Sequence, residues 1–215
     1  MPEPHPLAPA QRVIVTRPER EAGPWAEALQ GQGVRTETLP LIQIKPLPDV
    51  SAMQALWQQV PQHLAVMFVS ANAVRFFMAA RPAAQPMPNC RAWSTGPGTD
   101  SALLAAGWPA ELIDSPDPTS SQFDSEALWQ KVQERVDLAV HQCPSKPSVL
   151  IVRGADAQGQ LAGRDWLARQ LMSAGLEVSQ TVAYARQAPA LNVAVVQLRT
   201  SLLGVDHETL QLSNA

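Results

Sequence analysis

Two stretches of this chain follow one design, and that repetition limits the folds open to it. Val13-Ile14-Val15-Thr16-Arg17-Pro18 recurs as Val149-Leu150-Ile151-Val152-Arg153-Gly154. Each copy is an apolar run of strand length that closes on an arginine and a chain-bending residue. A helix-period stretch carrying Trp25 or Trp166 follows, ends at Gly33 or Gly175, and gives way to a second extended run, 34–39 or 176–184. A β-loop-α-β unit met twice points to two similar α/β halves, and a cleft between halves is a natural ligand site.

The rest of the chain keeps the same rhythm. Short β-branched or apolar runs alternate with amphipathic stretches of helix length, the pattern of a parallel α/β sheet. Strands are expected over 12–16, 35–39, 41–45, 64–69, 91–95, 111–113, 148–152 and 177–183. Helices are expected over 20–30, 51–59, 71–80, 99–106, 125–136 and 161–174. Gly33, Gly107 and Gly175 stand where a helix ends in a left-handed residue. The tryptophans and methionines are expected in the core.

Two extended, proline-bounded segments, 39–46 and 181–189, read as linkers. Paired side by side they would form a two-stranded bridge between domains. One domain is then discontinuous, 12–40 plus 185–215, and the other is inserted, 41–184 with the linker strands at its ends. Residues 82–88 and 115–121 read as Pro/Ser-rich surface loops, and 1–11 as a disordered lead-in without the apolar run of a signal peptide.

Composition excludes several classes of function. A net charge of -3 argues against a general nucleic-acid-binding surface. Cys90 and Cys143 lack metal-ligand spacing and suit a reducing cytoplasm, while four scattered histidines form no zinc motif. No apolar run approaches the roughly 20 residues that cross a bilayer. A cytoplasmic protein without membrane, nucleic-acid or metal partners, acting as a monomer, is the expectation.

Ligands of open parallel sheets bind at the carboxyl ends of strands, where loops lead into helices. Four such loops here carry polar residues: Thr16-Arg17-Pro18, Ser70-Ala71-Asn72, Thr95-Gly96-Pro97-Gly98-Thr99 and Arg153-Gly154. The Gly-Pro-Gly-Thr turn lets backbone approach a ligand, and a helix start there favours a carboxylate or phosphate. Thr99 is equally read as a plain helix cap, and Ser70 and Asn72 are ordinary cap residues. Arg17 and Arg153 can each grip an acidic group, or simply be solvated; their matching places in two repeats favour ligand contact. Tyr184, the one tyrosine of the chain, reads from its residues alone as a half-buried strand aromatic.

The order and spacing of these motifs over 12–189 resemble the uroporphyrinogen-III synthase family. The resemblance is carried by the first repeat, by Leu39-Pro-Leu-Ile-Gln-Ile-Lys-Pro46, Met67-Phe-Val-Ser-Ala-Asn-Ala-Val74 and Thr95-Gly-Pro-Gly-Thr99, and by Leu150-Ile-Val-Arg-Gly154 and Val182-Ala-Tyr-Ala-Arg186. It implies two flavodoxin-like parallel-sheet domains joined by a two-stranded linker. It also implies a cofactor-free cyclising lyase of tetrapyrrole synthesis. Such an enzyme closes hydroxymethylbilane to uroporphyrinogen III, losing water and reversing the last pyrrole ring. By the same resemblance Tyr184 is the proton donor, and Arg17, Ser70, Asn72, Gly96, Thr99 and Arg153 are substrate-binding. An acidic substrate suits this chain only through local recognition, by helix N-termini, hydroxyls and a few arginines.

The second repeat should run as far as the first, which would carry it well past Ala215. The terminal domain is therefore expected to be incomplete, as if truncated at its C-terminus. A catalytically inactive tetrapyrrole-binding or scaffold member of the same family is the alternative reading. A flavin-binding or receiver domain ranks below both; against the receiver, no acidic pocket follows the first strand, and a colourless protein would argue against flavin.

Overall fold

The computed structural model describes residues 12–117, 119, 122–143, 145–156, 159–161 and 165–189. The expected lead-in at 1–11 and the expected unfinished part of the terminal domain from 190 onward lie outside the described residues. Contacts divide the chain into two compact units, with boundaries between Gln43 and Ile44 and between Arg186 and Gln187.

The first unit holds the first repeat. Strand β1 (Arg12–Val15), helix α1 (Glu19–Gly31) and strand β2 (Arg35–Thr38) follow in order, and β1 pairs with β2 in parallel, Val13 beside Thr36 and Val15 beside Thr38. Val15, Ala22 and Ala26 form its small core with Leu29 against them. Gly33 leaves the helix at φ +78°, the left-handed geometry for which a residue without a side chain is suited. Trp25 departs from expectation: it is half exposed, with the Arg17 guanidinium lying over its ring at 4.8 Å.

The second unit is built on a six-stranded sheet. Its elements are β3 (Gln43–Pro46), α2 (Ser51–Leu56), β4 (Ala65–Phe68), α3 (Ala71–Ala79), β5 (Arg91–Ser94), α4 (Pro97–Ala105), β6 (Ile113–Asp114), α5 (Ser125–Gln142), β7 (Ser148–Ala155), α6 (Trp166–Ser173) and β8 (Glu177–Gln187). The order across the sheet is β3-β8-β7-β4-β5-β6, and the contacts β8-β7, β7-β4, β4-β5 and β5-β6 are parallel. The second repeat thus forms β7, α6 and β8, as the first forms β1, α1 and β2.

Central parallel strands are covered on both faces, which is why β4 and most of β7 read as unbroken apolar runs. Val66, Phe68, Leu150 and Val152 pack with Met53, Phe77 and Leu103 of α2, α3 and α4. Ala65, Met67, Val149 and Ile151 pack on the other face with Leu128 and Val132 of α5 and Leu167 and Leu171 of α6. Trp57, Trp93 and Trp108 are buried as expected, each with its indole N–H satisfied: by the Phe77 carbonyl, Asp114 Oδ2 and the Cys90 carbonyl. Met172, by contrast, is half exposed.

Several boundaries move for physical reasons. Helix α4 begins at Pro97, because a proline whose φ is already helical suits the first position, and Gly96 becomes the cap residue. The expected cap, Thr99, lies inside the first turn. Helix α2 stops at Leu56 and a 3-10 turn, Val60–Gln62, with its proline follows. The expected strand at 111–113 is a 3-10 turn, Ala110–Leu112, leading into a two-residue β6. Strand β7 runs three residues past 152, so Arg153 and Gly154 are strand residues and not a loop.

Candidate active site

Strand β4 sits between β5 and β7, at the point where successive strands stop extending the sheet one way and start extending it the other. At such a switch point the helices leave to opposite faces, and the carboxyl ends of the strands open a crevice. Ser70, Gly154 and Tyr184 meet there, with Gly96 and Thr99 on the loop after β5.

Ser70 caps α3 from an extended backbone, its Oγ accepting the Ala73 N–H at 3.2 Å. The same oxygen lies 3.1 Å from Tyr184 Oη. Tyr184 belongs to β8, two strands away from β4, and must reach across β7 to get there. Two features allow it. The pairing of β7 with β8 shifts between Arg153 and Gly154, so that Val182 faces Arg153 and Tyr184 faces Gly154, leaving Ala183 as the extra residue of a bulge. The bulge puts both Ala183 and Tyr184 in the core on the α2–α4 face. Gly154 then lets the ring lie against backbone: a Cβ there would stand 2.6 Å from Tyr184 Cζ. Phe76 of α3 stacks on the ring, centroids 5.8 Å apart at 25°. Tyr184 is only 1% exposed. Arg186, two residues on, donates from Nη2 to Tyr184 Oη at 3.2 Å.

The other sequence-expected residues have these places. Asn72 is buried in the first turn of α3, where its Oδ1 accepts from Arg75. Gly96 is buried under Phe123, and its N–H donates to Ser94 Oγ at 3.1 Å while Ser94 Oγ–H donates to the Gly96 carbonyl. This turn holds the backbone of the loop after β5, and Thr99 is buried beside it. Arg153 is 4% exposed and bonded from Nη1 to Asp165 Oδ1 at 2.6 Å and to Gln180 Oε1 at 2.7 Å, tying the start of α6 to β8. Arg17 stands in the first unit, paired with Glu21 at 3.3 Å. The structure therefore brings Ser70 and Tyr184 into contact and sets Asn72, Gly96 and Thr99 on neighbouring strand-to-helix turns.

Sequence reasoning missed Gly154, Phe76 and Arg186 as partners of Tyr184. Arg186 had a signal, since residues two apart on a strand share a face. Gly154 and Phe76 had none without the register of β7 and β8.

Away from this edge, Asp114 gathers Arg91 in a bidentate contact, the Trp93 indole, and Arg135 at 3.7 Å. The side-chain bond to Asp114 holds the Arg91 guanidinium above its ordinary value, against desolvation. This cluster braces β5 to β6 and α5. Among the described residues no group of histidine, cysteine and carboxylate side chains could hold a metal ion, and no helix is long and apolar enough to cross a membrane.

Comparison with known proteins agrees with the ordered motifs. A uroporphyrinogen III synthase mutant from Thermus thermophilus superposes with a TM-score of 0.53 at 15% identity, covering 90% of this chain and 69% of that one. Another Thermus thermophilus uroporphyrinogen III synthase gives 0.40 at 14% identity, covering 90% and 69%. The uroporphyrinogen-III synthetase of Helicobacter pylori gives 0.36 at 15%, covering 76% and 61%. At these identities the first likeness speaks for the α/β fold alone. The family model HEM4, uroporphyrinogen-III synthase HemD, matches residues 23–202, well over half of the chain. The chain belongs to the uroporphyrinogen-III synthase family.

Proposed function

We propose that the chain performs the family's reaction at the carboxyl edge of its six-stranded sheet, with Tyr184 as proton donor. The observation that carries the proposal is the 3.1 Å contact of Tyr184 Oη with Ser70 Oγ at the switch point. A phenol carries an O–H proton that it can give to a leaving hydroxyl. Buried against Gly154 and Phe76, its hydrogen leaves towards Ser70 and the head of α3.

In the first step the phenolic proton passes to the terminal hydroxyl of hydroxymethylbilane. The carbon–oxygen bond breaks and water departs. Loss of the pyrrole N–H proton discharges the cationic ring and restores the phenol, leaving a neutral azafulvene. The substituted carbon of ring D then attacks, and the spiro intermediate breaks and recloses with that ring reversed. The enzyme's main task is to hold a flexible acidic chain in one fold, and positioning can supply much of the barrier reduction. Ser70, Asn72, Gly96 and Thr99 receive carboxylates at the strand-to-helix turns, with the helix N-termini favouring the charge. Arg153 would exchange Asp165, whose side chain is 57% exposed, for a substrate carboxylate, and Arg17, on the first unit, is a further substrate-binding candidate.

The same reading covers the architecture. Taken from β7 round to β6, the strand order 8-7-4-5-6 becomes the flavodoxin-like 2-1-3-4-5. This supports a flavodoxin-like domain of 41–184 with β3 and β8 as linker strands, and the proposal keeps 12–40 plus 185–215 as the other, incomplete domain. The net charge of -3 speaks against a nucleic-acid partner, and the proposal is of a cytoplasmic monomer.

Incubation of the full chain with enzymatically generated hydroxymethylbilane tests the proposal. The type III isomer is expected; type I alone, the product of spontaneous closure, refutes it. Tyr184→Phe should slow turnover by roughly a hundredfold or more, and an unchanged rate would remove Tyr184 from the mechanism.

A further inference from the structure

We infer that Arg186 is a positioning residue for Tyr184: it fixes the direction of the phenolic hydrogen and neutralises the oxygen once that hydrogen has gone. The inference rests on the reading of Tyr184 as proton donor. Its physical basis is a conflict that donation creates. A tyrosine 1% exposed sits in a core of Phe68, Phe77 and Val152, and giving up its proton leaves an anion there. A buried charge without a partner is costly, and it has to be paired.

Arg186 supplies the pairing. Its Nη2 lies 3.2 Å from Tyr184 Oη, and its guanidinium carbon lies 5.8 Å from the ring centroid, within the reach of a cation–π contact. The geometry follows from sequence position. Tyr184 and Arg186 are two apart on β8 beyond the bulge, so their side chains share a face. The chain exposes Arg186 where it buries Tyr184, so the cation keeps its hydration while its fork reaches the phenolic oxygen. An arginine has only donors to offer. The phenol oxygen must therefore accept from it, and the phenol's single hydrogen is left to point at Ser70 or a substrate hydroxyl. When the proton moves from Oη to the departing hydroxyl, the neutral-acceptor bond becomes charge-assisted on both sides and strengthens. When the pyrrole N–H proton returns to Oη, the pair reverts. An interaction that grows only as the reaction proceeds raises kcat and leaves ground-state binding alone.

The experiment uses the full chain and the variants Arg186→Gln, Arg186→Lys, Tyr184→Phe and Tyr184→Phe/Arg186→Gln. Arg186→Gln should lower kcat roughly tenfold to a hundredfold, the scale of one charge-assisted hydrogen bond, with KM moved less than about twofold. Arg186→Lys should recover part of the loss. In the Tyr184→Phe background Arg186→Gln should cost nothing further. Because Tyr184 is the only tyrosine, labelling tyrosine with carbon-13 at Cζ gives one resonance, and Arg186→Gln should shift it whether or not substrate is present. A raised KM at unchanged kcat would assign Arg186 to a substrate carboxylate and overturn the inference. So would wild-type turnover of Arg186→Gln alongside a slow Tyr184→Phe, or an unmoved resonance. Wild-type turnover of Tyr184→Phe would overturn the donor reading itself, and the inference with it.

Discussion

Gly154→Ala is the sharpest perturbation the structure offers, because it adds one methyl group and aims it at the proposed donor. The new Cβ would stand 2.6 Å from Tyr184 Cζ, 2.7 Å from Cε2 and 2.9 Å from Oη. Ordinary contact begins near 3.4 Å, so the ring must retreat by roughly 0.8 Å. It has little room, with Phe76 stacked on it and Phe68 and Phe77 in the same core. Overpacking of this kind costs about 1–3 kcal/mol, which lowers the melting temperature by a few degrees in a chain of this size. The effect on chemistry should be larger. Half of that retreat along the Oη–Oγ line takes the 3.1 Å contact with Ser70 to the limit of hydrogen bonding. A misplacement approaching 1 Å costs on the order of a hundredfold in rate. Type III isomer formation from hydroxymethylbilane, followed by chromatographic separation of isomers, reads the rate, and a thermal melt reads the packing. Turnover within twofold of wild type with an unchanged melt would refute the claim that Tyr184 lies on bare backbone. A second check uses Tyr184→Ala, whose empty space should absorb the methyl group, so that Gly154→Ala costs no further stability there.

Two further outcomes follow from burial elsewhere in the second unit. Burial pushes the Cys90 thiol up to about 12, while Cys143 is exposed, so Ellman's reagent at pH 8 should titrate one thiol at once and the second only after unfolding; two immediate equivalents would contradict the buried site. Desolvation holds His63 below its ordinary 6.5, with Nδ1 2.8 Å from Ser148 Oγ. The folded state then binds fewer protons than the unfolded one, so His63 leaves stability intact above pH 6.5 and subtracts from it as pH falls below that value. The fall in melting temperature from pH 7 to pH 5.5 should be smaller in His63→Gln than in wild type, and equal falls would exclude His63 as the source.

Much of the fold was legible because it follows from local rules. The apolar runs at 64–69 and 148–152 read as strands of a parallel sheet, and they form β4 and β7 at its centre. Gly33, Gly107 and Gly175 were read as left-handed helix ends, and each has a positive φ. The misjudged boundaries were places where two local signals competed. At Gly-Pro-Gly-Thr the threonine is the expected cap, but a proline pre-set for a first helical position moves the start two residues earlier.

The candidate site was legible only as a set of strand ends, and the reason lies in the bulge. Period-two alternation along β8 sends Ala183 and Tyr184 to opposite faces. On that rule the tyrosine, with Ala183 in the core, would project away from Ser70 and Phe76. One extra residue between Val182 and Tyr184 reverses the alternation, and nothing in the eleven residues of β8 marks where it falls. The neighbouring strand holds the missing mark. At the shift β7 presents Gly154, where the displaced ring rests against backbone with no Cβ to collide with. In the sequence Arg153-Gly154 closes a repeat, and the arginine is the expected substrate contact. The structure gives the glycine the more direct part: Arg153 is bound to Asp165 and Gln180, while Gly154 makes the space through which a tyrosine on one strand reaches a serine two strands away. The first repeat has Pro18 where the second has Gly154. The difference between the two copies, more than their likeness, therefore marks where the proposed donor is seated.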